Sequence, residues 1–244
     1  MQELGIGIKH LVALDQRVLI ISDLHFPYAH PDWFIFLEAI KRNYKPDIVI
    51  SLGDEVDCHA ISFHQSDSAL PSADAELEEA IKEIHQLRNL FEKLYITESN
   101  HGSMAYRKVK FNGIPLRHLK DLHELYETPK WSWHHEIMLE TLQGFVTIVH
   151  GKTSGRGKLA IEQGNSAIQG HFHSTYELSW VQSSMNTRFN MICGCLIDSN
   201  AISFHYGKNF TKKPIHGVGW INELGEPSLI RMILDKSGRW IGRL

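Results

Sequence analysis

The chain has 244 residues, 25 Lys and Arg against 28 Asp and Glu, a net charge of −3, and 16 histidines. That length suits one large α/β domain, or at most two small ones, and lets the chain bury most of what its unfolded form exposes, so no disulfide or metal is needed merely to hold it together. The near-neutral balance excludes a strongly basic nucleic-acid coat, and the 43% hydrophobic content excludes wholesale disorder.

Met1 to Asp15 carries Glu3, Lys9 and Asp15 with no long apolar core, so it does not read as a signal peptide. No window approaches the roughly 20 apolar residues of a membrane span, and a cytoplasmic chain with no membrane partner is expected. Val18–Ile21 and Ile48–Ile50 read as buried strands. Between them, Pro31–Asn43 has a proline in its first turn and an apolar face at Trp33, Phe34, Leu37 and Ile40, which predicts a helix. A longer helix is predicted over Asp74–Leu94, with apolar residues at three- and four-residue steps and acids in its first turns. Leu94–Thr97 comes next as a strand, then Pro115–Tyr126 as a helix. After Lys130 the texture changes to strands, at Trp133–Leu139, Phe145–Val149, Ala167–Gln169, Tyr176–Val181, Arg188–Ile192 and Leu229–Leu234, with a short helix near Lys158–Gln163. Cys193 and Cys195 flank a glycine inside an apolar run and read as small hydrophobes on one face of a strand. An α/β half succeeded by a strand-rich half without a linker predicts a single domain over 1–244, with two packed sheets and helices outside.

The informative polar residues stand at the carboxyl end of each apolar run. Val18–Ile21 leads to Asp23 and His25, and Ile48–Leu52 to Gly53, Asp54 and Asp57. Leu94–Thr97 leads to Asn100 and His101, Phe145–Val149 to His150, and Ala167–Gln169 to Gly170, His171 and His173. In α/β sheets ligands bind in loops just past the carboxyl ends of strands. Five such ends deliver carboxylates, a carboxamide and imidazoles to one rim. A donor set without thiolate suits Mn, Fe or Zn rather than a thiolate zinc site. Two ions about 3.5–4 Å apart need a bridging carboxylate and can hold a water as hydroxide for in-line attack on phosphorus. Asp54, central in the motif order, is the natural bridge.

In this order the residues resemble the calcineurin-like metallophosphoesterase superfamily, whose pattern is Asp-x-His, Gly-Asp-x-x-Asp, Gly-Asn-His-Asp/Glu, a lone His, and Gly-His-x-His. The resemblance runs from Asp23 to His173 and implies a four-layer αββα sandwich, two mixed β-sheets packed face to face and flanked by helices. It implies two divalent ions, Mn first with Fe or Zn as alternatives. Asp23, His25, Asp54 and His173 hold one; Asp54, Asn100, His150 and His171 hold the other. It also implies that His101 contacts the phosphate and protonates the leaving oxygen, and that Asp57 occupies the position pairing with that histidine in the phosphatase branch. A carboxylate beside His101 favours the imidazolium that a general acid needs. Two departures from the pattern stand out: Ser99 replaces the leading glycine of the third motif, and Gly102 replaces its closing acid. Cys58 stands where protein Ser/Thr phosphatases carry Arg, which argues against that branch, while Gly170–His173 resembles the nuclease and phosphodiesterase branches.

The residues after His173 read as strands plus a hairpin at 235–238, so no separate capping domain is expected and loops must hold the substrate. Arg107 and Lys108 in one loop, and Lys152 and Arg156 in another, are candidates for phosphates flanking the scissile one. Tyr28, Tyr106 and Phe172 are candidates for base stacking. The segment 100–115 resembles, more loosely, phage-borne phosphoesterases and DNA exonucleases. The reading leans to a nucleic-acid phosphodiesterase with DNA among its substrates. A phosphomonoesterase acting on nucleotides or other small phosphates is the alternative. A non-catalytic metal-binding scaffold, as in the superfamily's retromer subunit, is the alternative of another class. Among the other histidines, His59, His64, His205 and His216 fall near the rim without an assigned task.

Overall fold

The computed structural model describes residues 7–63, 71–153, 157–201 and 213–244. Among the described residues, twelve strands form two six-stranded sheets. One sheet takes β2 (Val18–Ile21), β3 (Ile48–Ser51), β4 (Leu94–Thr97) and β5 (Trp131–His134), paired parallel in that order. It is extended antiparallel beyond β2 by β11 (Gly217–Ile221) and β12 (Pro227–Arg231). The other sheet has the order β1 (Ile8–Val12), β6 (Glu136–Thr141), β7 (Gly144–Val149), β8 (Ser166–Gln169), β10 (Thr187–Cys193) and β9 (Tyr176–Gln182). There β1–β6, β7–β8 and β8–β10 pair parallel, while β6–β7 and β10–β9 pair antiparallel.

The period of two along each strand separates the layers. In β2, Val18 and Ile20 point into a core between the sheets with Ile50, Ile148, Ile168 and Met191. Leu19 and Ile21 point the other way, into a core shared with α1 (Trp33–Tyr44) and α2 (Ala73–Leu90). α5 (Lys158–Gln163) covers the far sheet, burying Leu159 and Ala160 against Val149 and Ala167. The result is the expected αββα layering, with a much thinner helical layer on one side.

Three elements were not predicted, β1, β11 and a helix α3 (Met104–Phe111) where a loop carrying Arg107 and Lys108 is expected, and four predicted ones differ in extent or kind. Trp133–Leu139 is two strands: Trp131–His134 ends one sheet, and past His135 the chain enters the other. Pro115–Tyr126 is a 3-10 turn at Leu116–His118 and a short α4 (Leu122–Leu125), because Leu119 between them is extended. The long helix stops at Leu90 because Phe91 is extended. The strand Leu229–Leu234 is Pro227–Arg231, and Leu234 instead bridges Trp240 across the 235–238 hairpin. Among the described residues, no helix is long and apolar enough to cross a membrane.

Candidate metal centre

The parallel run β2–β3–β4 in one sheet and the parallel pair β7–β8 in the other open their carboxyl ends on the same rim. Their loops bring the predicted ligands together. Donor atoms of Asp23, His25, Asp54 and His173 all lie within 4.8 Å of one another, as do those of Asp54, His150 and His171. Asp54 belongs to both groups. Its Oδ2 lies 3.5 Å from His25 Nε2 and 3.2 Å from His150 Nε2. Asn100 completes the second group, with Oδ1 at 2.8 Å from His150 Nε2.

The imidazoles are aimed from behind. His150 Nδ1 donates to the Leu52 carbonyl at 2.7 Å, and His25 Nδ1 donates to Asp57 Oδ1 at 2.7 Å. Each bond fixes the tautomer and turns Nε2 inward. Two nitrogen pairs then stand face to face: His25 Nε2 with His173 Nε2, and His150 Nε2 with His171 Nδ1, both at 3.2 Å. At that separation each pair can share a proton, or offer both nitrogens to a cation that replaces it. Donor set, convergence and inward orientation all fit divalent ions.

The backbone is bent to achieve this. Asp23, His25, Asp54 and His171 all have left-handed φ, between 49° and 66°. That conformation is unfavourable for residues with a side chain and concentrates at functional sites. The His171 amide donates to Asp23 Oδ2 at 3.0 Å, tying the two loops across the sheets. Gly170 permits that approach: a Cβ there would sit 2.6 Å from Asp23 Oδ2.

Electrostatics follow from packing. Burial alone pushes the Asp54 carboxyl up, but His150, His101 and His25 outweigh it and hold it well below the usual carboxylate range. Burial disfavours a charged His150, yet Asp54 beside it prevails and lifts it to about 9. Burial likewise opposes a charge on His173, and its bond to Asp23 reverses the direction upward. For His25, burial prevails over the Asp57 bond and lowers its proton affinity, and burial also lowers that of His171.

His101 sits at the edge of this cluster, its ring 4.6 Å from that of His25. Its Nδ1 donates to the backbone carbonyl of Asp57 at 2.5 Å, while the Asp57 carboxylate is 3.6 Å away. The side chain of Asp57 therefore serves His25 first. Arg107 and Lys152 line a cleft of about 570 Å³ with Asn100, His150 and His171. Lys152 pairs there with Glu136 at 3.1 Å. Lys108 is not among the cleft-lining residues; it lies over the Phe63 ring. Arg156, His64 and His205 lie outside the described residues. Tyr28 and Phe172 are partly buried, as is Tyr106, whose hydroxyl donates to the Lys120 carbonyl at 3.0 Å. His59 Nδ1 is 3.9 Å from Asp57 Oδ2, and His216 donates to the Ile197 carbonyl.

Three contributors escaped the sequence reading. Ser99 Oγ accepts the amides of Asp54 at 2.8 Å and Gly102 at 3.1 Å, so the serine departure is what pins two ligand loops together. Glu55 is buried, accepts from Trp133 Nε1 at 2.8 Å, and is pushed toward protonation by burial. A Cβ at Gly102 would meet its carboxylate at 3.2 Å, so Glu55 occupies space beside the place where the family pattern has an acid. His135, paired with Glu98 at 3.4 Å, lines the cleft beside Arg107. Only the Ser99 and Gly102 departures signalled any of this in the sequence.

Residues 16–221 match the family described as calcineurin-like phosphoesterase, and the chain belongs to that family. A phosphoesterase family of hydrolases implies phosphate esters as the class of substrate, and the His/Asp clusters fit divalent metal binding. No curated protein sequence matches it. Similar solved structures include a novel archaeal phosphodiesterase, 18% identical, covering 88% of this chain and 99% of its own at a TM-score of 0.47. Vps29 from Entamoeba histolytica complexed with zinc is 14% identical, with 87% and 89% covered and a TM-score of 0.47. Yfce, a phosphoesterase from E. coli, is 10% identical, with 89% and 100% covered and a TM-score of 0.45.

Proposed function

We propose that this chain is a two-metal phosphodiesterase acting on nucleic acid, built as one domain over 1–244. The observation that carries the two-metal reading is Asp54 Oδ2, which faces His25 Nε2 at 3.5 Å and His150 Nε2 at 3.2 Å. A carboxylate oxygen between two imidazole groups supports one ion held by Asp23, His25, Asp54 and His173, and a second held by Asp54, Asn100, His150 and His171. Oxygen and imidazole donors without thiolate suit Mn, with Fe and Zn as alternatives. Such ions supply Lewis acidity at the phosphoryl oxygens and a nucleophile from water at neutral pH.

The chain's own residues do the rest. The Nδ1 of His101 is tied to the Asp57 carbonyl. Its Nε2 is thereby left to meet the phosphate and hand a proton to the departing oxygen. Asp57 orients His25 through their 2.7 Å bond. Arg107 and Lys152, which both line the cleft, position phosphates next to the scissile one. What supports the lean to diesters is a cleft of about 570 Å³ that joins Asn100, His150 and His171 to the cations Arg107 and Lys152.

The test is turnover with added Mn of bis(p-nitrophenyl) phosphate, p-nitrophenyl phosphate, and single- and double-stranded DNA. Diester and DNA hydrolysis is expected. Hydrolysis of the monoester alone would overturn the diesterase reading, and no turnover with Mn, Fe or Zn would overturn the enzyme reading.

A further inference from the structure

Beside the centre, one surface lobe carries chemistry that the ligand set does not use. From Gly102 to Lys120 the sequence holds five cations, Arg107, Lys108, Lys110, Arg117 and Lys120, and no acid, in a chain of net charge −3. The first three lie on α3 (Met104–Phe111). Residues 110–118 are exposed throughout, and they present Phe111, 78% exposed, together with Ile114 and Leu116 to solvent.

Phe63, 47% exposed, meets Phe111 edge to face with 5.8 Å between ring centres. Two cations lie over the Phe63 ring, Lys108 Nζ at 4.0 Å and the Arg107 guanidinium at 5.4 Å from its centre. The 3-10 turn just before Phe63 is pinned to α2, because Glu76 accepts the amides of His59 at 2.7 Å and Ala60 at 2.9 Å. Arg107 also donates to the Asn100 carbonyl at 3.2 Å and lines the cleft. One side chain thus joins the aromatic pair to the loop carrying Asn100 and His101.

Exposed apolar patches ringed by polar groups mark interaction sites. Aromatic faces beside cations, continuous with a phosphoesterase centre, match one chemistry well. Single-stranded nucleic acids stack bases on aromatic rings while their phosphates track positive charge. A duplex keeps its base faces inside its own stack and cannot use such a surface along its length. We infer that the exposed ring of Phe111, held against Phe63 with Lys108 beside them, forms a stacking platform for an unpaired base of a single-stranded nucleic acid whose backbone runs toward Asn100. The inference rests on the nucleic-acid diesterase reading of the neighbouring centre and narrows its substrate to single strands or frayed ends.

The full chain in EDTA, which prevents hydrolysis, is titrated against fluorescein-labelled oligothymidylate by anisotropy. The Phe63→Ala/Phe111→Ala double variant should bind about 5- to 150-fold more weakly, the range expected for losing one stacked base. Phe111→Trp should bind as tightly as wild type or tighter, since a larger ring preserves stacking. Thermal unfolding within about 2 °C of wild type confirms that the variants fold. No binding by wild type, equal binding by the double variant, or preference for duplex DNA or phosphatidylserine vesicles overturns the platform. Hydrolysis of bis(p-nitrophenyl) phosphate by wild type with Mn is measured alongside. Its absence would defeat the diesterase reading, whereas the binding titration judges the platform separately.

Discussion

Replacing Asp57 by Asn separates two roles that the sequence pattern leaves merged. Asp57 Oδ1 lies 2.7 Å from His25 Nδ1 but 3.6 Å from His101 Nδ1, and His101 is held by the backbone carbonyl of the same residue. Asn keeps the side-chain shape and that carbonyl, and removes the charge. Asp57 is 2% exposed, so water does not replace the lost carboxylate. Removing a charged hydrogen-bond partner from behind a metal-ligating histidine typically reduces metal affinity or activity about 10–100-fold, roughly 1.4–2.7 kcal/mol. The expected result is a Mn affinity weakened in that range, measured by competition with a fluorescent chelator. At saturating Mn, kcat should stay within about threefold of wild type, because the His101 bond persists. Unchanged Mn affinity with a collapsed kcat would refute the reasoning and return the carboxylate to His101.

Other substitutions probe the same loops and the fold. His101→Ala should retain its metals by elemental analysis and lose about 10²–10⁴-fold in kcat; an unchanged rate would contradict its role as acid. Ser99→Ala leaves the buried amides of Asp54 and Gly102 without their acceptor. At about 1–3 kcal/mol for each orphaned group, the unfolding midpoint should fall by about 4–24 °C, and an unmoved midpoint would contradict the anchor. Arg239 bonds buried Asp32 at 2.8 Å and holds its carboxyl at about 2, with burial opposing and the Trp240 amide assisting. Because this folded-state value lies below the ordinary one, the stabilisation is complete above pH 4 and disappears as pH falls toward 2. The gap in unfolding midpoint between wild type and Arg239→Ala should therefore be widest above pH 4 and close on acidification; a gap independent of pH would contradict it.

The predicted ligands were legible because each stands directly after a short apolar run, and a parallel strand has only one end at which its loop meets the next. The fully buried runs Val18–Ile21 and Ser166–Gln169 carry that signal most clearly. Elements whose burial is partial or whose residues are small were silent. α3 buries only Met104, β11 reads Gly-Val-Gly-Trp-Ile, and β1 is an edge strand with a largely exposed face. The break at His135 was invisible because alternation continues across it while the chain changes sheets. Relations through space were illegible for the same reason. Periodicity places Asp57 after a strand, but only the packing of the loops after β2 and β3 decides that its carboxylate meets His25 before His101. Ser99 and Gly102 looked like damage to a motif, and become intelligible only with the amide of Asp54 and the carboxylate of Glu55 beside them.

The sharing of Asp54 between two ions is tested most directly by counting bound Mn per chain after equilibrium dialysis, for wild type and for Asp54→Asn. Two ions per wild-type chain are expected, with loss of both or near-loss of both in the variant. A single ion in wild type, or two ions retained without the Asp54 carboxylate, would contradict a centre built on that bridge.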